Sequence, residues 1–124
     1  MERVWIGLGA LAGLGAVAMA AAAAHMKFDA AQAQMLRDAV QMQGWHALAL
    51  LACGLWGTRG GRWSSFAGSF FILGLLFFCG AIYSSVFGAS VFRGVRASSV
   101  APFGGVMLMT GWAMLLVSVL RKRR

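Results

Sequence analysis

Residues 41–57 read QMQGWHALALLACGLWG. Polar glutamines lead into an apolar run, with His46 at its entrance and Gln43 three residues before it. The strictly apolar part, Gly44 to Gly57, is shorter than the roughly 20 helical residues that cross a hydrocarbon core of about 30 Å. Taken alone it would be a buried or re-entrant helix. The segment spans only if its helix begins earlier, so the residues upstream decide the fold.

Upstream stands HMKFDAAQAQMLRDAVQ, residues 25–41. Asp29 can cap a helix whose third position is Gln32, a capping-box pattern with acid in place of serine or threonine. Beyond it Met35, Leu36, Ala39 and Val40 fall on one stripe, while Gln34, Arg37, Asp38 and Gln41 fall elsewhere. That pattern is an amphipathic helix lying in, or rising from, the membrane interface.

Three further apolar runs are plain. Val4 to Ala24 carries no charge, Trp63 to Gly88 is rich in phenylalanine, and Pro102 to Leu120 stops at RKRR. Pro102, the one proline, is placed at the start of its run, where a first helical turn accepts it. The expected fold is therefore all-α: one polytopic membrane domain over 1–124, with four transmembrane helices at about 4–24, 41–57, 63–88 and 102–120. An interfacial amphipathic segment joins the first to the second. The opening MER, long apolar run and alanines before His25 have features of a signal peptide, but the run exceeds the usual apolar core of one, so it is taken as a retained span.

Composition agrees. The chain is 60% apolar and 11% charged, against about 45–50% and about 25% in soluble domains. Eleven Lys and Arg face three Asp and Glu, a net charge of +8. The basic residues cluster between apolar runs and form no aromatic-interleaved face, which argues against nucleic acid. They serve instead to orient the chain. With four spans, Arg3, Arg59, Arg62 and residues 121–124 share one side, and Lys27, Arg37, Arg93 and Arg96 the other. The richer side is cytoplasmic by the positive-inside rule, so both termini are expected there. Trp5, Trp56 and Trp63 would then lie in the cytoplasmic aromatic belt and Trp45 in the outer one.

Gly9 and Gly13 form a GxxxG pair, continued by Ala12, Ala16, Ala20 and Ala24, a face that lets helix backbones approach closely in lipid. GLGALAGLG lacks the lysine and the preceding strand of a phosphate loop. Cys53 and Cys79 should differ in height by roughly 15 Å, too far for a disulfide, so they are expected to be small buried hydrophobes.

Several polar residues converge under this topology. His25 ends the first span, Gln43 and His46 begin the second, Tyr83, Ser84 and Ser85 end the third, and Ser98 and Ser99 precede the fourth. The expectation is a polar layer near the outer leaflet. It could bind a proton, metal, haem or quinone head group. The structural alternative has His46 bonding across helices to Tyr83 or a backbone carbonyl, and is preferred because no acid lies in any apolar run. Two histidines are an incomplete zinc set, and His25 stands at the edge, a poor place for an axial haem ligand. No nucleophile has a base at local spacing, so no catalytic residue and no resident metal or cofactor is assigned.

AAAAAH ending at His25, MQGWHALALL with Gln43 and His46, LLFFCGAIY ending at Tyr83, and APFGGVMLMTGW from Ala101 to Trp112 form an ordered series. In that order they resemble the small bacterial inner-membrane family called domain of unknown function 423, with its animal mitochondrial counterpart, transmembrane protein 256. The likeness runs from about Trp5 to Leu120. It implies a four-helix membrane protein in which His25, Gln43, His46 and Tyr83 match family positions, with a helix-packing region at Pro102, Gly104 and Gly105. It implies no activity. The chain departs from the family pattern at AAAAAH, where GAFGAH is usual. It departs again at Met42, Cys79 and Ala101, where an aromatic, a serine and a threonine are common. The expected role is a non-enzymatic accessory or scaffold subunit in the inner membrane, packed against a larger assembly, respiratory by analogy, or joined to copies of itself. The alternative is a ligand-binding protein whose site uses His25, Gln43, His46 and Tyr83.

Overall fold

The computed structural model describes residues 1–88 and 96–121, the side chains of 97 and 98 apart. The described residues form three α-helices, each with a segment long and apolar enough to cross a membrane. In hydrocarbon only a structure that satisfies its own backbone polar groups survives, and nothing in Val4 to Ala24 stops a helix. α1 accordingly runs Glu2–His25.

α2 runs Ala30–Phe87. Its start is the capping box: the Gln32 amide N–H donates to Asp29 Oδ1 at 2.8 Å, and the Asp29 amide N–H to Gln32 Oε1 at 3.3 Å. Its end is Gly88 in the left-handed conformation, a common helix stop. Between them only Gly61 leaves helical geometry, at φ 56 and ψ −145, a conformation open to glycine and strained for any other residue. The chain reverses there. Cys79 Sγ donates to the Ala39 carbonyl at 3.4 Å and Ser64 Oγ to the Cys53 carbonyl at 2.8 Å. A straight helix would hold residues 39 and 79 about 60 Å apart. α2 is thus two antiparallel arms, 30–60 and 62–87.

Three helices replace the expected four because helical geometry continues through Thr58, Arg59 and Gly60 and resumes directly after Gly61. The turn expected at 58–62 shrinks to one residue. The amphipathic stretch is no separate interfacial element either. It forms the first turns of α2, and Leu36 and Ala39 on its apolar stripe are fully buried. α3 runs Ala97–Leu120, so Pro102 lies inside the helix and not in its first turn. Arg93 and residues 122–124, used above for orientation, lie outside the described residues.

α1 and α3 flank the α2 hairpin, and among the described residues no Cα of one comes within 8 Å of a Cα of the other. Both meet it through glycine. A Cβ on Gly9 would come within 2.9 Å of the Ala47 carbonyl oxygen, and one on Gly54 within 2.9 Å of the Glu2 carbonyl oxygen. On the other side Gly74 and Gly104 face each other, each with its hypothetical Cβ 3.0 Å or less from the other's carbonyl oxygen. Gly13 makes only ordinary contact, 3.8 Å from Ala47 Cβ, and Gly105 reaches Phe78 at 4.0 Å. Outward, Leu14 and Val17 on α1 and Phe103 and Met109 on α3 are 65–71% exposed, an apolar exterior suited to lipid.

One tryptophan of the expected cytoplasmic belt turns inward. Trp5 is only 5% exposed and packs on Gly68. At the end of the bundle that carries the α2 reversal, the Arg59 guanidinium lies 5.9 Å from the Trp56 ring and Arg121 lies 4.9 Å from Trp63, both in cation–π range. Cys53 and Cys79 are free and buried.

Both Gly61 and Gly7 have open space where a methyl group would go. Gly61→Ala is therefore expected to destabilise by ~1–3 kcal/mol through backbone strain alone. Gly7→Ala, in ordinary helix, should be neutral or stabilising by up to ~1 kcal/mol. Unfolding of the purified variants by dodecyl sulfate titration, followed by circular dichroism, compares the two. Equal midpoints would show that the reversal does not require glycine.

Candidate functional site

Gln43 and His46 stand on a single turn of the first α2 arm. Gln43 and His46 are three residues apart, about 60° around the helix axis, so they address adjacent faces. Gln43 points between α1 and the second arm. Its Nε2 donates to the Ala12 carbonyl at 2.9 Å, and its Oε1 accepts from the Tyr83 hydroxyl at 2.6 Å. One amide thereby joins α1 and both arms. A Cβ on Gly15 would sit 2.7 Å from that Nε2, so the absence of a side chain there makes room for it.

His46 points between the second arm and α3 and is 3% exposed. Trp112 Nε1–H donates to His46 Nε2 at 3.0 Å. An indole nitrogen can only donate, so Nε2 is the acceptor and the ring proton sits on Nδ1. Nδ1–H in turn donates to the Met42 carbonyl at 2.6 Å. The imidazole is neutral with both nitrogens engaged. Its ring packs against Phe71 at 5.5 Å and Trp112 at 5.9 Å, and those two rings lie 5.2 Å apart. The three aromatics tie both arms to α3.

The height of this group differs from expectation. Ala12, which Gln43 touches, lies about 15 Å from the start of α1 and about 20 Å from its end. Because α2 begins at Ala30 and not at Gln41, Gln43 is also about 20 Å along its own helix. Gln43 and His46 sit midway along the bundle, while Tyr83 lies about 6 Å from the Phe87 end of its arm and meets Gln43 through its hydroxyl. His25, exposed at the last turn of α1, is about 20 Å beyond Ala12 and does not join them. Ser84 turns back to the Gly80 carbonyl at 2.7 Å, Ser85 and Ser99 are exposed, and the side chain of Ser98 lies outside the described residues. Among the described residues no three of His, Cys, Asp and Glu come close enough to share a metal ion.

The sequence reading missed Trp112, Phe71 and Gly15. Trp112 could have been found by asking which indole might serve His46 from the fourth apolar run. The partnership of Gly15 with Gln43 has no local signal, because it depends on how α1 is seated against α2.

Beside Gln43 and Tyr83 a cavity of about 430 Å³ opens between α1 and the second arm, walled by Leu8, Leu11, Ile72 and Leu76. A second, of about 470 Å³, lies against Trp45, His46, Leu48 and Trp112.

Trp112→Phe keeps an aromatic ring against Phe71 and removes the N–H that His46 accepts. It should cost ~0.6–2 kcal/mol, the range for interhelical bonds in lipid. In a His46→Leu background the same change should cost little. A double-mutant cycle by dodecyl sulfate unfolding measures the difference, and strictly additive losses would mean that the bond contributes nothing.

Comparison with known proteins places the chain. It is 30% identical over 118 residues to a UPF0382 membrane protein of Haemophilus influenzae, covering 93% of this chain and 92% of that one. It is 30% identical over 122 residues to a UPF0382 membrane protein of Staphylococcus saprophyticus, covering 96% and 98%. To the UPF0382 inner membrane protein YgdD of Escherichia coli K12 it is 29% identical over 128 residues, covering 99% and 94%. No solved structure matches. Apolar helices and these relatives together make it a membrane protein. The model of the family described as "Protein of unknown function (DUF423)" matches residues 19–105, well over half of the chain, and the protein belongs to that family.

Proposed function

We propose that the protein is a non-enzymatic accessory or scaffold subunit of the inner membrane, packed against a larger membrane assembly. In this reading each arm of α2 crosses the bilayer, so that α1, the two arms and α3 make four passages with both termini in the cytoplasm. The antiparallel contacts across the hairpin support four passages, and the basic residues Arg3, Arg59, Arg62 and Arg121 at one end support the orientation. Residence in the inner membrane follows the name of the Escherichia coli relative.

The observation that carries the accessory role is a pair of unpartnered glycines. Gly7 on α1 and Gly44 on α2 have nothing within 4 Å of a Cβ position among the described residues. Each costs about 1 kcal/mol of helix propensity relative to alanine. In lipid such positions are where a foreign helix can come close. A respiratory assembly is the analogy offered by the mitochondrial counterpart and has no further support. The ligand reading centred on His46 gains none, since both ring nitrogens are already engaged.

Native mass spectrometry of the protein gently extracted from its own membrane tests the proposal. A partner at fixed stoichiometry is expected, and Gly7→Leu should release it while leaving the helix content unchanged. A chain that emerges alone, or a partner indifferent to Gly7→Leu, would overturn the reading.

A further inference from the structure

The cavity beside Gln43 and Tyr83 has the make-up of a small-molecule site. Its walls are apolar, its polar groups are few and convergent, and its volume of about 430 Å³ falls within the usual range for such sites. Hydrogen-bonding capacity remains in it. The Gln43 amide has two N–H groups, and among the described residues only one acceptor, the Ala12 carbonyl, is engaged. Tyr83 spends its proton on Gln43 and keeps its oxygen lone pairs. A donor left unmet in hydrocarbon is costly, and water is absent there to meet it. A ligand carbonyl seated in the cavity would meet it.

Position restricts the ligand further. The Ala12 carbonyl that holds the Gln43 amide is about 15 Å from the start of α1 and about 20 Å from its end. Phospholipid ester carbonyls stay near the hydrocarbon edge, roughly 15 Å from the midplane, held there by their charged heads. No charged residue lines the cavity to admit such a head. The carbonyl must belong to an uncharged molecule that dissolves in the core. Gly80 forms part of the lining and has nothing within 4 Å of a Cβ position, so the open space extends over this glycine.

From these observations we infer that the groove between α1 and the second arm of α2 binds an uncharged, carbonyl-bearing lipid of the quinone type. The Gln43 amide donates to its carbonyl, and its apolar tail lies along Leu8, Leu11, Ile72 and Leu76. This is a binding function, independent of any partner subunit.

The test uses the full-length protein in lipid nanodiscs and a decyl-tailed 1,4-benzoquinone carrying a diazirine in its tail. A decylbenzene with the same diazirine serves as control, and labelled residues are read by peptide mass spectrometry. Quinone labelling should concentrate on the groove leucines and Ile72 over the lipid-facing Leu14, Val17 and Met109. It should exceed the hydrocarbon control there by about tenfold, the worth of one hydrogen bond. Gly80→Leu, whose Cβ position has nothing within 4 Å among the described residues, fills the open space and should remove the groove labelling. Gln43→Leu should reduce quinone labelling to the level of the control. Labelling spread evenly over lipid-facing residues, indifference to Gly80→Leu, or equal labelling by the hydrocarbon would each overturn the assignment. Because the purified protein suffices, failure here is separate from failure to find a partner.

Discussion

A helix surrounded by hydrocarbon gains nothing by hiding apolar side chains, because lipid tails are as apolar as leucine. What remains to hold helices together is dispersion at close approach and hydrogen bonds that have no water to compete with. This protein uses both, in different places. The facing pair Gly74 and Gly104, and Gly9 against the Ala47 carbonyl, bring backbones into contact. Gln43 and His46 supply the directional bonds. All three helices depend on these few positions, and the outward apolar residues contribute solubility in lipid without specifying any arrangement.

The two polar residues divide the work. Gln43 holds the α1 side of the bundle and His46 the α3 side, and both rise from the same helical turn. Among the described residues no Cα of α1 comes within 8 Å of one of α3, and this turn, the glycine contacts and the apolar core that runs from Trp5 through Leu50 and Phe71 to Leu108 give them a common reference. The two groups differ in what is left over. His46 is fully spoken for, each nitrogen with its own partner, and behaves as a fastening. Gln43 retains a hydrogen to offer. Of the conspicuous histidine and the plainer glutamine, the proposal gives the ligand to the glutamine.

Much of this was legible in the sequence, and the failures have physical causes. The helical class, the membrane setting and the capping box at Asp29 follow from local pattern, and local pattern survives folding. Gln43 and Tyr83 meet, as antiparallel neighbours allow, while His46 turns to α3. The height of Gln43 and His46 was not legible, because the amphipathic stretch before Gln41 was assigned to the interface when it is the opening of α2, with Leu36 fully buried. Placing His25 beside them was the same error seen from α1. The helix count failed at a single residue: Thr58-Arg59-Gly60-Gly61-Arg62 has the composition of a loop, yet only Gly61 abandons helical geometry. Trp5 was assigned to the headgroups from its position near a chain end, while Gly68 offers it a berth inside.

The one-residue reversal in α2 also sets an order of assembly. Ser64 and Cys53 are eleven residues apart in sequence, whereas His46 and Trp112 are sixty-six apart. Closing a short loop loses less chain entropy than closing a long one. The hairpin is therefore the part of the molecule whose contacts are the most local, with no slack at its tip. α1 and α3 each need more distant closures to reach it. In that sense the middle of the chain is the template and the two ends are its cladding.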